Sequence, residues 1–364
     1  MPAASRAADG AVYLYLQPLP PDASRLTFAI GSIAAVAADG TEHPLKLHLR
    51  TVGPSEGGRQ RLLASGRVPA GSYAGISIAF TRAFLKAPGG DADLSVGRAP
   101  VRVDVPFGAG QNAALLWTEL RYRESLGAGF AFTPVFTGTV PPRPIPDHAG
   151  FVTNAASNTI IVFDKQLAQA VGAIETCGGP AGMALDQRRR RLYVACSKDD
   201  EVLAIDVATA QIIERTRVSP GERPRELALS ADGLTLIAAN PGSNTITFFD
   251  ALSLSRGERV SVGTAPGSLV IEPAGRRVFV FNTLASSVSV VDLAGRTVLT
   301  TIALDGAPLR GKFNRRGDRL YVIHERSPYM SVIDVTTLAV TARVRLQTGV
   351  TAIEVDTVRD LVCV

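Results

Sequence analysis

From residue 150 to the end at residue 364, one arrangement of apolar and polar positions recurs about every 42 residues. Within the stretch 267–302 the apolar runs are Gly267-Ser268-Leu269-Val270-Ile271, Val278-Phe279-Val280-Phe281, Ser287-Val288-Ser289-Val290-Val291 and Val298-Leu299-Thr300-Thr301-Ile302. Each is short, rich in β-branched or aromatic residues and bounded by Gly, Pro, Asn or Asp, which predicts four strands joined by tight turns. No apolar spacing of 3.6 residues competes with that reading.

Four markers hold the phase. An Asp closes an apolar run at Asp164, Asp206, Asp250, Asp292 and Asp334, spaced 42, 44, 42 and 42. A Pro recurs at Pro180, Pro224, Pro266 and Pro308, with Val350 in the fifth place. An aliphatic residue opens a strand at Leu192, Leu236, Val278, Leu320 and Leu361, and a polar or small residue ends the same strand at Asn154, Cys196, Asn240, Asn282 and His324. Four strands in a period of about 40–45 residues are the signature of a β-propeller blade.

Phe151-Val152-Thr153-Asn154 followed by Ser157-Asn158-Thr159-Ile160-Ile161-Val162-Phe163-Asp164 resembles the YVTN β-propeller repeat, as do Pro266-Gly267 and the hairpin Pro273-Ala274-Gly275-Arg276-Arg277-Val278-Phe279-Val280. The resemblance spans roughly 150–364. It implies a propeller of a kind common in exported or cell-surface proteins of bacteria and archaea, and it implies no single activity. Leu361-Val362-Cys363-Val364 aligns with Leu320-Tyr321-Val322-Ile323, the second strand of a blade. The expected inventory is four complete four-strand units, a three-strand start and a two-strand end: about five repeats, read as an incomplete ring of seven.

The fold class expected for the whole chain is all-β, with an N-terminal β-sandwich before the propeller. Residues 11–136 carry strand patterns at 12–16, 25–30, 45–49, 73–80 and 101–105, with turn signals at Ala38-Asp39-Gly40 and Pro69-Ala70-Gly71. The strand 12–16, Leu19-Pro20-Pro21-Asp22 and Arg67-Val68-Pro69-Ala70-Gly71-Ser72-Tyr73 resemble an uncharacterised sandwich domain of bacterial lipoproteins, which implies an envelope location and brings no catalytic residues. Residues 1–10 read as a disordered start. The Pro-rich stretch 137–148 reads as a semi-rigid linker, and 149–364 as the propeller.

Composition changes this picture little. The net charge is +5, divided as +3 before residue 148 and +2 after it, so neither half is a basic arm and nucleic acid is not the expected partner. No apolar run is long enough for a transmembrane helix, and Met1-Pro2-Ala3-Ala4-Ser5-Arg6 lacks the apolar stretch of a secretory signal. The three cysteines, Cys177, Cys196 and Cys363, form no local pairing motif and read as free thiols. Cys177 is expected in an exposed loop and Cys363 at a buried strand position.

Candidate chemistry is sparse. His43 and His48 are five apart and so face opposite sides of a strand. His324 occupies the Asn position of the repeat and reads as structural. Gly108-Ala109-Gly110-Gln111-Asn112-Ala113 matches a glycine-rich dinucleotide pattern but lacks the strand–turn–helix setting that pattern requires. No nucleophile elbow, P-loop, H-E-x-x-H or C-x-x-C occurs. No catalytic residue, metal ligand or cofactor is therefore assigned.

Two groups remain as binding candidates. Arg225, Glu226 and Arg310 follow the repeated Pro and are placed at the mouth of the propeller channel, with Glu222 and Asp199 on nearby loops. Arg188, Arg189, Arg190, Arg276, Arg277, Arg315 and Arg316 fall in equivalent hairpins and are placed on a basic rim suited to an anionic polymer. The expected function is a non-enzymatic envelope protein, periplasmic or at the cell surface, whose propeller presents a surface to a protein or polysaccharide partner. The alternative is a lactonase-like or cofactor-dependent enzyme with its site at the channel mouth.

Overall fold

The computed structural model describes every residue except 1–8, 55–57, 87–89, 111–112, 128–129, 142–147 and 357. Residues 1–8 of the expected disordered start and half of the expected linker therefore lie outside the described residues, as do Gln111 and Asn112 of the glycine-rich pattern, while Gly10 already belongs to a strand. Strands dominate, and among the described residues the longest helix is the single turn Tyr122–Ser125. The chain divides into two compact units. One holds residues 1–152 and 159–175; the other holds 153–158 and 176–364.

The first unit is built on a 12-stranded sheet. Its longest strands, Leu26–Ala37 and Gly71–Leu85, pair antiparallel through the middle of it. Gly10–Leu16 pairs antiparallel with Arg61–Val68 and parallel with Ala114–Leu120. Phe136–Thr139 then pairs with Ala114–Leu120, so the sheet takes in the first residues of the Pro-rich stretch. The alternating apolar positions converge on one core, where Phe28, Phe80, Phe132 and Phe136 pack ring against ring. Centroid separations of 5.7–6.4 Å suit edge and offset stacking.

The repeats fold as separate sheets. Blade 1 is three-stranded: Ala149–Asn154, Thr159–Asp164 and Gln169–Glu175. Blades 2 to 5 are four-stranded and begin with the inner strands Pro180–Asp186, Glu226–Leu229, Pro266–Ile271 and Pro308–Phe313. A pair of strands, Glu354–Asp356 and Leu361–Cys363, follows. Inner strands of successive blades lie side by side from blade 2 to blade 5.

The two middle strands of each blade are apolar almost without interruption because both of their faces are covered. In blade 4, Phe279 and Phe281 pack on Phe313, Leu320 and Val322 of blade 5, while Val278 and Val280 pack on Ile237, Ile246 and Phe248 of blade 3. The two-residue period of a strand sends alternate side chains to opposite neighbours, so one apolar run serves two interfaces. The outer strands, such as Gln211–Arg217 and Ala339–Arg345, have little covering them and are largely exposed.

The repeated Asp has a local task. Its carboxylate accepts backbone N–H groups two or three residues ahead, closing the hairpin between third and fourth strands: Asp164 from Gln166 and Leu167, Asp206 from Thr209, Asp250 from Leu252 and Ser253, Asp334 from Thr336 and Thr337. These hydrogen bonds hold the four carboxyls below the ordinary Asp value. A lowered folded-state pKa favours the fold above the unfolded value of 3.8, and that contribution disappears as pH falls through the folded value. Asp250→Asn is therefore expected to lower the urea midpoint at pH 7, and the deficit should shrink below about pH 4 as wild-type Asp250 protonates. An equal deficit at both pH values would show that the carboxylate charge is not involved.

Candidate functional site

A cavity of about 750 Å³ with a partly polar wall lies on the inner strands of the second unit. That volume lies within the range of small-ligand sites, about 300–1,000 Å³. Its wall is a product of the repeat. One residue after each Pro, or after Val350 in the fifth place, stand Ala181, Arg225, Gly267, Leu309 and Thr351, and all five line the cavity. The next position is Gly182, Glu226, Ser268 and Arg310, of which Gly182, Glu226 and Arg310 line it.

Equivalent positions therefore carry Gly, an acid, Ser and a base in succession. Arg310 Nη2 reaches the Glu226 carboxylate at 3.6 Å, although the two residues are two blades apart. Gly182 makes room for this: a Cβ on it would stand 2.6 Å from a Glu226 carboxylate oxygen and from the Arg225 carbonyl. The Gly182 N–H donates to that carbonyl at 2.7 Å. Burial pushes the Glu226 pKa above its ordinary value, against the opposing pull of Arg310, Arg225 and Lys312.

The structure brings Arg225, Glu226 and Arg310 onto this one cavity and leaves Glu222 and Asp199 off its wall. Glu222 is 2% exposed and receives Arg259 Nη1 at 2.6 Å. Asp199 accepts the Gly178 N–H at 2.6 Å. Neighbouring Asp200 accepts from Gly221 and Arg223, as Asn158 and Asn244 at matching positions accept from Gly179 and Ala265. These carboxylates tie the loops that lead into the inner strands. Among the described residues, no three His, Cys, Asp or Glu side chains are gathered as metal ligands.

The hairpin arginines form a mixed surface. Arg189 donates to Asp186 at 2.9 Å and to the Gly233 carbonyl. Arg277 meets the buried Glu272 at 2.6 Å, with Arg276 at 3.9 Å from the same carboxylate. The Arg315 backbone N–H donates to Asp360, and its guanidinium to the Val358 carbonyl. Arg190 takes a positive φ of 52° in its hairpin and stands exposed beside Arg188, as does Arg316 in its own turn. Asp186 and Glu272 thus offset two of the seven positive charges expected on this rim.

The cysteines overturn the expectation of free thiols. Cys177 and Cys196 are joined in a disulfide, with Cα atoms 5.8 Å apart, and both are buried. Cys363 is the free one and is exposed, not buried. Cys196 ends the second strand of its blade, where Asn240, Asn282 and His324 end theirs. Asn240 and Asn282 donate to Thr247 and Ser289, and His324 bonds Ser331 and the Gly306 carbonyl. In blade 5 His324 makes a comparable tie by hydrogen bond to Gly306, one residue beyond the position equivalent to Cys177. A separation of 19 residues with unlike neighbours gives no sequence signal for the disulfide pairing.

Burial lowers the His324 pKa from 6.5 and keeps the ring neutral. A depressed His value means that the unfolded chain binds the proton more readily, so stability falls as pH drops through 6.5 toward the folded value. His324→Asn, matching Asn282, is expected to flatten the pH dependence of the denaturation midpoint between about pH 5 and pH 7. An unchanged slope would place the titration elsewhere.

The model of the YNCE-like beta-propeller family matches residues 141–358. Among solved structures, hydrazine synthase of Kuenenia stuttgartiensis is 20% identical with a TM-score of 0.51, covering 55% of this chain and 63% of that one. A functionally unknown protein from Desulfotomaculum acetoxidans is 18% identical with a TM-score of 0.47, covering 54% and 65%. The chain thus spans less than two thirds of the length of these two structures. A comparison with curated proteins gives no significant match.

Proposed function

Since this chain belongs to the YNCE-like β-propeller family, we propose that it is a non-enzymatic binding protein of the cell envelope. Its propeller presents the face around the inner-strand cavity to a protein or glycan partner, and its N-terminal sheet domain, of lipoprotein type, acts as anchor or spacer. One observation carries the reading. Equivalent positions on rigid inner strands bear different groups, so a repetitive scaffold displays one particular arrangement of charge around a cavity. The nearby carboxylates Asp199, Asp200 and Glu222 are engaged by backbone N–H groups and Arg259, which supports positioning work for them over catalysis.

The envelope location draws support from the Cys177–Cys196 disulfide, because such bonds persist in oxidising compartments. The test passes envelope fractions over the immobilised protein and its Arg225→Ala/Arg310→Ala variant. A single protein or glycan species retained by the wild type and released by the variant is expected. No retained species, or equal retention by both, would overturn the assignment of the surface. The alternative, a lactone-hydrolysing enzyme, is favoured by one observation: Glu226 is a half-buried carboxyl with a raised pKa inside a cavity. Turnover of a lactone panel that is lost in Glu226→Gln would establish it in place of the binding role.

A further inference from the structure

We propose that the inner-strand cavity binds a small hydroxylated monocarboxylate, the size of a sugar acid, through the guanidinium of Arg225, with Glu226 setting the affinity. The inference rests on the binding reading above in taking this cavity as the functional face. Four charged side chains line the wall: Arg225, Glu226, Arg310 and Glu325. Glu226 is matched by Arg310 at 3.6 Å, and Glu325 lies 3.9 Å from Arg326. Arg225 is exposed and, among the described residues, has no ion-pair partner. It is the one lining charge without an ion-pair contact, although its field adds to that of Arg310 at Glu226.

A guanidinium offers two parallel N–H donors that fit the two oxygens of a carboxylate. The remainder of the wall sets the charge and body of the ligand. The one guanidinium without an ion pair balances one negative charge, so a monoanion is neutralised there while a dianion keeps a second charge facing Glu226 and Glu325, which disfavours a phosphate ester. Thr283 and Thr351 supply hydroxyls, and Met183 and Leu309 a limited apolar surface. A volume of about 750 Å³ leaves room beyond the carboxylate for a polar body.

Glu226 responds to every charge facing it. Arg225 stands beside it on its own segment, and Arg310 and Lys312 face it from the inner strand of blade 5. Lys312 is itself paired with Glu354 at 3.0 Å. Blades 2 and 4 contribute Gly182, Met183 and Gly267 to the wall and no charge. Protonation of Glu226 removes a negative charge while both arginines stay cationic, so carboxylate binding strengthens as pH falls toward the Glu226 value.

Calorimetric titration of the full chain with glucuronate, gluconate, glucose and glucose 1-phosphate tests this. Saturable binding of a sugar acid with Kd at or below about 1 mM is expected, with glucose and the phosphate ester weaker. Arg225→Ala should weaken it at least about tenfold and Arg225→Lys less. Glu226→Gln should tighten it several-fold at pH 7 and flatten its pH dependence. Preference for the phosphate ester, indifference to Arg225→Ala, weaker binding in Glu226→Gln, or no saturable binding by about 10 mM would each overturn the proposal. Retention of an envelope partner in the pull-down without sugar-acid binding would sink this proposal alone. Sugar-acid binding without any partner would sink the assembly role alone.

Discussion

Reduction of the Cys177–Cys196 bond is expected to destabilise the propeller unit by about 3 kcal/mol, the loop-closure value for a bridge spanning some 20 residues. For a unit of this size that corresponds to a fall in Tm of about 6–12 °C. Both cysteines are buried, and as thiols they remain small apolar side chains that still fill their places. The loss is therefore that of the cross-link, not of packing. A Cys177→Ala/Cys196→Ala variant should sit near the reduced wild type and should not respond further to reductant. Cys363→Ser should respond as the wild type does, because Cys363 is outside the bond. Denaturation with and without reductant measures all three. A wild type unmoved by reductant, with both thiols alkylated, would show that the bond adds nothing to the fold.

This bond also marks where the sequence stops being legible. The blades could be read in advance because each marker reports a local rule. Asp250 closes its own hairpin, Gly275 and Gly317 supply positive φ in theirs, and the runs at 278–281 and 287–291 match strands covered on both faces. Rules of this kind act over a few residues and leave a periodic trace. The disulfide acts across blade 2, between a loop residue and a strand end whose counterparts in other blades are Asn and His. Its two members look unlike each other and unlike their repeats. The Arg225, Glu226 and Arg310 positions were visible from phase alone, since the residues after the repeated Pro must enter inner strands. Their pairing was not: the 3.6 Å contact between Glu226 and Arg310 spans two blades, and Glu226 fits where it does because Gly182 has no side chain. The engagement of Glu222 by Arg259, 37 residues away, is equally non-local.

The junction inside the first unit is a further case, and it carries the second large prediction. Hairpin Thr159–Glu175 belongs to the repeat pattern, yet it packs within the first unit against the sheet domain. Trp117 Nε1 donates to the Ala170 carbonyl at 2.8 Å, and the Ala170 N–H donates to Gln60 Oε1 at 2.7 Å. The Tyr13 hydroxyl meets the Thr159 hydroxyl at 2.7 Å, and Glu175 accepts the Ala11 N–H at 2.6 Å. Around these bonds Ala11, Tyr13, Leu115, Ala170 and Ala173 form an apolar cluster flanked by Trp117 and Ile161. Trp117→Ala removes a hydrogen bond and the largest side chain of the cluster at once, and is expected to cost about 3 kcal/mol. If that cost falls on the hairpin, amide exchange across Thr159–Glu175 should accelerate about 100-fold, while Arg277–Asn282 in blade 4 stays protected. Tyr13→Phe keeps the ring and should produce a smaller change confined to the same hairpin, near 1 kcal/mol. Trp117 is the sole tryptophan of the chain, so in Tyr13→Phe and Gln60→Ala its own fluorescence reports loosening of the contact. Acceleration spread evenly over all blades would mean that the hairpin unfolds with the propeller instead. The contrast matters for how the chain is divided: by pattern residues 159–175 are propeller, while by packing they stand or fall with the sheet that precedes it.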